Sequence, residues 1–187
     1  MTIRFVMPAY NAAPYIAEAI ESILAQTIGD WVLTVADDCS TDATHVIAAA
    51  YAARDPRIRL LRTPEPSGSA YRPRRLAIIG EDAPRPGEEE TETLIAPLDA
   101  DDTIPPDYLE RLLELRAATG ADIIYPTMCD MGSRTPLFPT PEALYERPHA
   151  GREMVRHTLD GWRIGCNGGL IDRTLYLRTY AETDDSI

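Results

Sequence analysis

The run Leu94-Ile95-Ala96-Pro97-Leu98-Asp99-Ala100-Asp101-Asp102 constrains this chain more than any other stretch. An apolar segment of strand length ends abruptly in three carboxylates within four positions. Like charges so close repel, so a soluble domain gains no stability from them. A hard divalent cation such as Mg²⁺ or Mn²⁺ relieves that repulsion, because it prefers oxygen ligands. Mg²⁺ commonly takes one or two protein carboxylates and completes its shell with substrate phosphates. An acidic cluster at the carboxyl end of a strand is therefore a candidate metal-diphosphate site. The plain alternative is a solvated acidic turn before the helix that starts near Pro105.

The rest of the pattern says what carries this cluster. Ile3 to Met7 reads as a short strand closed by Pro8. From Pro14 onward, Tyr15, Ile16, Ala19, Ile20, Ile23 and Leu24 recur at helical spacing. Trp31 to Ala36 is a second strand ending at Asp37-Asp38. Ser40, Thr41 or Asp42 can cap a helix over about 43–53. Ile58 to Leu61 is a third strand, followed by a loop with Pro64, Pro66 and Gly68 and a helix near 72–80. Leu94 to Leu98 is a fourth strand, Pro106 opens a helix with Tyr108, Leu109, Leu112, Leu113 and Leu115 on its apolar face, and Ile123 to Tyr125 is a fifth strand. Strands alternating with helices predict an α/β fold, a mostly parallel sheet covered on both faces. In such a sheet ligands bind beyond the carboxyl ends of the strands, at a topological switch. Two strands end in acidic pairs or triplets, so both clusters are expected to face one crevice.

Several function classes are excluded or disfavoured. At 187 residues the chain is long enough for one domain with a real core. The net charge of −12 argues against nucleic acid as a partner, which needs a basic stripe. Segment 81–93 holds six acidic residues against Arg85 alone, with Pro84, Pro86 and Gly87 and no hydrophobic period. It reads as a mobile surface insertion. No apolar run approaches the roughly 18–20 residues of a membrane helix, and the N-terminus is not a signal peptide. Cys39, Cys129 and Cys166 lie far apart without zinc spacing, which fits reduced thiols and a cytoplasmic location. Neither a Gly-x-Gly-x-x-Gly nor a Walker loop follows the first strand, so phosphate binding falls to a metal or to arginines.

Three motifs in order carry a family resemblance. Val6-Met7-Pro8-Ala9-Tyr10-Asn11, Ser22-Ile23-Leu24-Ala25-Gln26-Thr27 and Val35-Ala36-Asp37-Asp38-Cys39-Ser40-Thr41-Asp42 resemble the opening of the family 2 inverting glycosyltransferases, which have the A-type nucleotide-sugar fold. Leu98-Asp99-Ala100-Asp101-Asp102 followed by Pro106-Asp107-Tyr108-Leu109-Glu110 is similar to the family's Asp-x-Asp motif and the helix after it. The resemblance is good over roughly 1–125 and loose over 126–187. It implies a Rossmann-like three-layer α/β/α domain over 1–187, with a donor half over 1–110, the acidic insertion at 81–93 and a partial acceptor half over 126–187.

The resemblance also implies roles. Pro8, Tyr10 and Asn11 belong to the donor-binding opening, with Tyr10 stacking on the nucleotide base. Asp38 accepts from a base N–H, which favours uracil, while Asp37 either joins it or braces the loop. Asp99, Ala100 and Asp101 correspond to the Asp-x-Asp segment. Asp99, Asp101 and Asp102 are the candidate ligands of Mn²⁺ or Mg²⁺, with the direct ligand left open. Arg74 falls where the family has an arginine before asparagine, and Arg75 replaces that asparagine; either could meet base or diphosphate, or lie on a solvated helix face. The implied reaction moves a sugar from a nucleotide-sugar, in the first instance a UDP-sugar, to a saccharide or lipid-linked acceptor with inversion.

The chain departs from the family pattern where Cys39 replaces the usual glycine, a strained choice if that position needs a positive φ. The insertion at 81–93 is a second departure. A third is that the chain ends at Ile187, where an acceptor half should continue. Trp162 to Ile171, with Cys166-Asn167-Gly168-Gly169 as a turn, is expected to line the sugar site. Asp184 and Asp185 are candidates for the catalytic base, although the family's base is expected further along, in a longer chain that could also associate peripherally with a membrane. Two rivals remain at this point: a sugar-phosphate nucleotidyltransferase, which should carry a Gly-rich basic loop after the first strand, and a non-catalytic nucleotide-sugar-binding module.

Overall fold

The computed structural model describes residues 1–79, 93–124 and 169–172. Within them six strands form one sheet in the order β3-β2-β1-β4-β6-β5: β1 Thr2–Ala9, β2 Trp31–Asp37, β3 Ile58–Arg62, β4 Thr93–Pro97, β5 Ile123–Ile124 and β6 Leu170–Asp172. The helices are α1 Ile16–Leu24, α2 Thr44–Ala52, α3 Tyr71–Ile79 and α4 Tyr108–Thr119. β1 pairs in parallel with β2 and β4, and β2 with β3, whereas β6 runs antiparallel to both β4 and β5. The expected mostly parallel sheet is thus present. The segments 80–92 and 125–168 and the residues after 172 lie outside the described residues, and with them the insertion up to its last residue, Thr93, which opens β4, the turn at Cys166–Gly168, Asp184 and Asp185.

β1 runs on through Pro8 to Ala9, so Pro8 does not close the strand. The Val6 carbonyl accepts from Leu98 N–H on the β4 side, and the Ala9 carbonyl accepts from Asp38 N–H on the β2 side. Even-numbered residues of β1 therefore face β4. The N–H that Pro8 lacks therefore faces β4, where the register ends at Val6 with Pro97, and the β1–β2 ladder runs on intact to Ala9 with Asp37.

The core follows from the periodicities. Ile16, Ile20 and Ile23 of α1 are fully buried against β1 and β2, together with Phe5, Met7 and Leu33. Each such side chain stabilises the fold by about 1.5–3 kcal/mol. At the amino ends of the strands, Phe5 meets Trp31 edge-on at 6.3 Å and the Arg57 guanidinium covers the Trp31 ring at 3.9 Å. That end is closed by packing. The opposite end is left to polar groups.

The order of strands places a switch at β1. The chain proceeds β1, β2, β3 to one side and then crosses to β4 on the other. The loops after β1, β2 and β4 consequently converge at the carboxyl edge, where the sheet leaves a crevice between diverging connections.

The motif Ser22-x-x-x-Gln26-Thr27 has a structural reason. Gln26 is buried; its Nε2 donates to the Ser22 and Pro105 carbonyls, at 3.0 and 2.8 Å, and its Oε1 accepts from Leu109 N–H at 3.1 Å. Ser22 Oγ accepts from Ile104 N–H, and Thr27 N–H donates to the Pro106 carbonyl. The end of α1 is fastened to the chain that leaves Asp99–Asp102.

Candidate active site

A cavity of about 440 Å³ opens at the switch point. Pro8 to Ala12 and Tyr15 form one wall, and Asp38 lies at the end of β2. Pro66, Gly68, Ser69, Ala70 and Pro73 form a second wall, and Asp99, Ala100 and Asp101 a third. Eight of the residues expected from sequence to touch the donor or the cation therefore share one cleft: Pro8, Tyr10, Asn11, Asp38, Asp99, Ala100 and Asp101 line it directly, and Arg74 reaches Asp99.

The first wall is held by hydrogen bonds to the loop after β2. Asn11 adopts a φ of 49°, a left-handed conformation that asparagine tolerates better than most residues. Its N–H donates to Ser40 Oγ at 3.0 Å and its Oδ1 accepts from Thr41 N–H at 2.8 Å. Ala12 N–H donates to Thr44 Oγ1, and Ala13 N–H to Asp42 Oδ2. The cap position of α2 is Ala43 and not one of the three expected residues; Asp42, just before it, accepts from Thr44 N–H and Thr44 Oγ1. The Thr44 hydroxyl, with the backbone donors, holds the Asp42 carboxyl below the usual carboxylate range. With its backbone so fixed, Tyr10 stands 58% exposed in the cleft, free of the core and open to a planar ligand.

Asp37 and Asp38 divide the labour. Asp37 is fully buried and braces the loop: its Oδ1 accepts from Ser40 N–H at 3.0 Å, and its Oδ2 lies 2.9 Å from His45 Nδ1 and 3.6 Å from Arg62 Nε. Asp38 is 4% exposed and faces the cleft, accepting from Thr63 Oγ1, Ser67 N–H and Ser67 Oγ at 2.8–3.1 Å. Between Asp38 and Ser40, Cys39 takes the positive φ of 59° that the family's glycine would adopt freely. Its Sγ donates to the Thr63 carbonyl at 3.2 Å, which ties the strained residue to the end of β3.

At the end of β4 the carboxylates are arranged differently. One carboxylate oxygen from each of Asp99, Asp101 and Asp102 lies within 4.8 Å of the others. Arg74 donates to Asp99 Oδ1 at 2.7 Å, so this arginine is on the site and not on a solvated helix face. Burial, then the charges of Asp101 and Asp99, push the Asp102 carboxyl up from 3.8 to about 6. A converging oxygen set that resists its own ionisation fits a hard divalent cation.

Four residues at or beside the cleft, Tyr15, Thr63, Ser67 and Ser69, are not singled out by the sequence as site residues. Tyr15 was expected on the apolar face of α1. It sits instead just before the first helical turn, 55% exposed, and lines the cavity. Its place directly after Pro14, ahead of the first fully buried residue Ile16, was the available signal. The loop residues Thr63, Ser67 and Ser69 carried no periodic or charge signal.

This fold and cleft define the class: the A-type nucleotide-sugar transferase fold. Residues 5–72 match the family described as Glycosyl transferase family 2. The chain is similar to the succinoglycan biosynthesis protein ExoO of Rhizobium meliloti, 43% identical over 65% of this chain and 31% of that protein. It is also similar to TuaG of Bacillus subtilis, named for teichuronic acid biosynthesis, 31% identical over 91% of this chain and 62% of that one. Among solved structures, S. aureus TarS 1–349 in complex with UDP-GlcNAc superposes with a TM-score of 0.73 over 96% of this chain and 48% of its own, at 21% identity. Over residues 5–72 the chain is therefore similar to the opening part of a glycosyltransferase family 2 domain. It spans between about a third and two thirds of the length of these two relatives.

Proposed function

We propose that this domain binds a nucleoside-diphosphate sugar, in the first instance a UDP-sugar, and transfers the sugar with inversion to a saccharide or lipid-linked acceptor. One observation carries the reading. An exposed aromatic, a buried carboxylate and a cluster of three carboxylates from three separate loops line or adjoin a single cleft at the switch point. ExoO and TuaG, named for polysaccharide biosynthesis, and TarS, solved with UDP-GlcNAc, support the choice of substrate class. A mannosyltransferase from Pyrobaculum calidifontis, solved with GDP-Man and Mn²⁺, shares the fold at a TM-score of 0.53.

In this reading Tyr10 stacks on the base and Asp38 accepts its N–H. Asp101 and Asp102, with Asp99, would hold Mn²⁺ or Mg²⁺. When bound, the cation supplies Lewis-acid stabilisation of the charge that develops on the leaving nucleoside diphosphate. Arg74 orients Asp99 and lends positive charge to a surface that would otherwise repel a diphosphate. A carboxylate base removes the proton of the acceptor hydroxyl, which attacks the anomeric carbon from the face opposite the leaving group. Asp184 and Asp185 are the candidates within this chain. A cytoplasmic location belongs to the same reading, supported by three cysteines far apart in the sequence and without zinc spacing. Among the described residues no helix is long and apolar enough to cross a membrane.

The test is a melting series with UDP, CDP and ADP, each with and without Mn²⁺. A ligand that binds only the native state raises the melting temperature. The expected result is a metal-dependent rise, largest for UDP. No rise with any uridine nucleotide overturns the reading.

A further inference from the structure

Asp38 presents a difficulty for any base that would bind it. Its two carboxylate oxygens already accept four contacts from three donors, two on each oxygen, against the roughly four lone-pair sites of the group. Thr63 Oγ1 donates to Oδ1 at 2.9 Å, Ser67 N–H is shared between Oδ1 and Oδ2 at 3.1 and 3.0 Å, and Ser67 Oγ lies 2.8 Å from Oδ2. A base N–H arriving from the cleft needs one of these sites vacated.

The loop contains the means. Ser67 Oγ also lies 2.8 Å from the Ser69 carbonyl oxygen. A hydroxyl has one hydrogen, so it serves Asp38 or Ser69 at any moment, never both. Ser69 N–H donates to Ser67 Oγ at 3.3 Å, and Ser67 N–H remains on Asp38, so the oxygen stays in place in either state. Rotation about one C–O bond empties a site on Asp38 Oδ2 without displacing a heavy atom, and the hydroxyl keeps an acceptor throughout. Ser67 does not line the cavity itself, whereas its neighbours Pro66, Gly68 and Ser69 do.

We propose that Ser67 is a positioning residue for base selection: its hydroxyl swivels from Asp38 to the Ser69 carbonyl when a base offers an N–H to the carboxylate. This rests on the donor-binding reading above and adds to it the group that competes with the base. With the hydroxyl on Asp38, the carboxylate is held rigid and saturated between binding events. A base that offers a donor takes the vacated site on Oδ2. A base that presents an acceptor nitrogen at the same edge gains nothing from the exchange, because the carboxylate has no proton to give.

The experiment is calorimetric titration of UDP and CDP, at saturating Mn²⁺, into the wild-type chain and into Ser67→Ala, Ser67→Cys and Ser67→Thr. Ser67→Ala removes the competitor and leaves the Ser67 N–H contact. It is expected to tighten UDP about 2- to 10-fold, the range of one ordinary hydrogen bond, and to leave CDP nearly unchanged, so that the UDP/CDP ratio widens. Ser67→Cys, with a weak thiol donor, should move the ratio the same way, and Ser67→Thr, which keeps the hydroxyl, should stay at the wild-type ratio. If Ser67 merely braced the loop, Ser67→Ala would weaken both nucleotides together, and an unchanged or narrowed ratio overturns the swivel alone. A wild-type chain with no uridine preference, unaffected by Asp38→Asn, overturns the base-reading role of Asp38 beneath it.

Discussion

The two acidic strand ends of this cleft use the same side chain for opposite purposes. At the end of β2, the buried carboxylates of Asp37 and Asp38 are met by backbone N–H groups, hydroxyls, His45 and Arg62. At the end of β4, three carboxylates face one another within 4.8 Å; Arg74 relieves Asp99, and Asp102 is pushed up to about 6. The first arrangement is complete within the protein and gives a rigid recognition surface. The second crowds like charges together, the arrangement that the proposed cation would relieve. Sequence alone shows two acidic clusters; only the donors around each show which one is satisfied within the protein and which one keeps its carboxylates crowded together.

The largest test of that contrast is removal of the cation. If the β4 cluster needs an outside charge, chelation or Asp102→Ala should lower UDP affinity at least about 10- to 100-fold, the range seen for loss of even an outer partner of a metal site. Asp101→Ala should do the same. Calorimetry that finds equal, metal-independent binding in either variant removes that residue from the site.

The β2 end should respond to charge and geometry, and not to metal. Asp38→Asn replaces one acceptor oxygen by a donor that faces the Thr63 and Ser67 donors. It should weaken UDP by about 10- to 150-fold, the equivalent of a charged hydrogen bond worth about 1.5–3 kcal/mol. It should also lower the melting temperature, which Asp101→Asn should not. A Tm for Asp38→Asn equal to that of the wild type would show that the donors around Asp38 carry no stability.

The pH response should separate the ends further. The Asp102 carboxyl ionises near 6 when folded and near 3.8 when free. The native state therefore holds this proton more tightly than the unfolded chain. Without metal, the Asp102 contribution falls as the pH rises from about 4 to about 6. Metal binding needs the ionised carboxylate, so Mn²⁺ affinity should fall as the pH drops below about 6, by up to about tenfold per unit. Asp102→Asn should flatten the metal-free stability slope in that window; a slope identical to the wild type would reassign it to another group.

The smallest expected effect lies at Cys39. Glycine there relieves a positive φ at a cost of up to about 1 kcal/mol in unfolded-chain entropy, and gives up a weak thiol contact. Cys39→Gly should change stability by less than about 1 kcal/mol and leave UDP binding as it was. Cys39→Val should be clearly destabilising, because a branched side chain is poorly tolerated at that φ. Denaturant melts of the two variants check both; equal stability would show that the loop relaxes out of the left-handed conformation.

The fold was largely legible because its elements follow local periodicity. α1 shows the 3.6-residue period, and β2 and β4 are apolar runs bounded by carboxylates. The exceptions have local causes. Pro8 reads as a strand end, yet it belongs to β1 because its missing N–H faces β4 and spares the β1–β2 ladder. Tyr15 fits the period of α1 and still faces the cleft, because it precedes the first turn. β6 pairs antiparallel with β4 across more than seventy residues, a pairing that no local pattern announces.

What the sequence by itself determined is the identity of the chemistry: carboxylates at two strand ends, an aromatic after the first, and the order of strands and helices that brings them to one edge. These are set by side-chain type and short-range period, which are written in the chain. What only the tertiary structure decided is the state of each group. Asp37 became a brace and Asp38 a cleft wall through partners 3 to 29 residues away, among them Ser40 and Ser67. Arg74 was fixed on Asp99 across the cleft. A carboxylate's acceptor sites are filled by whatever donors the packing delivers, and that delivery is a property of the assembled sheet and its loops.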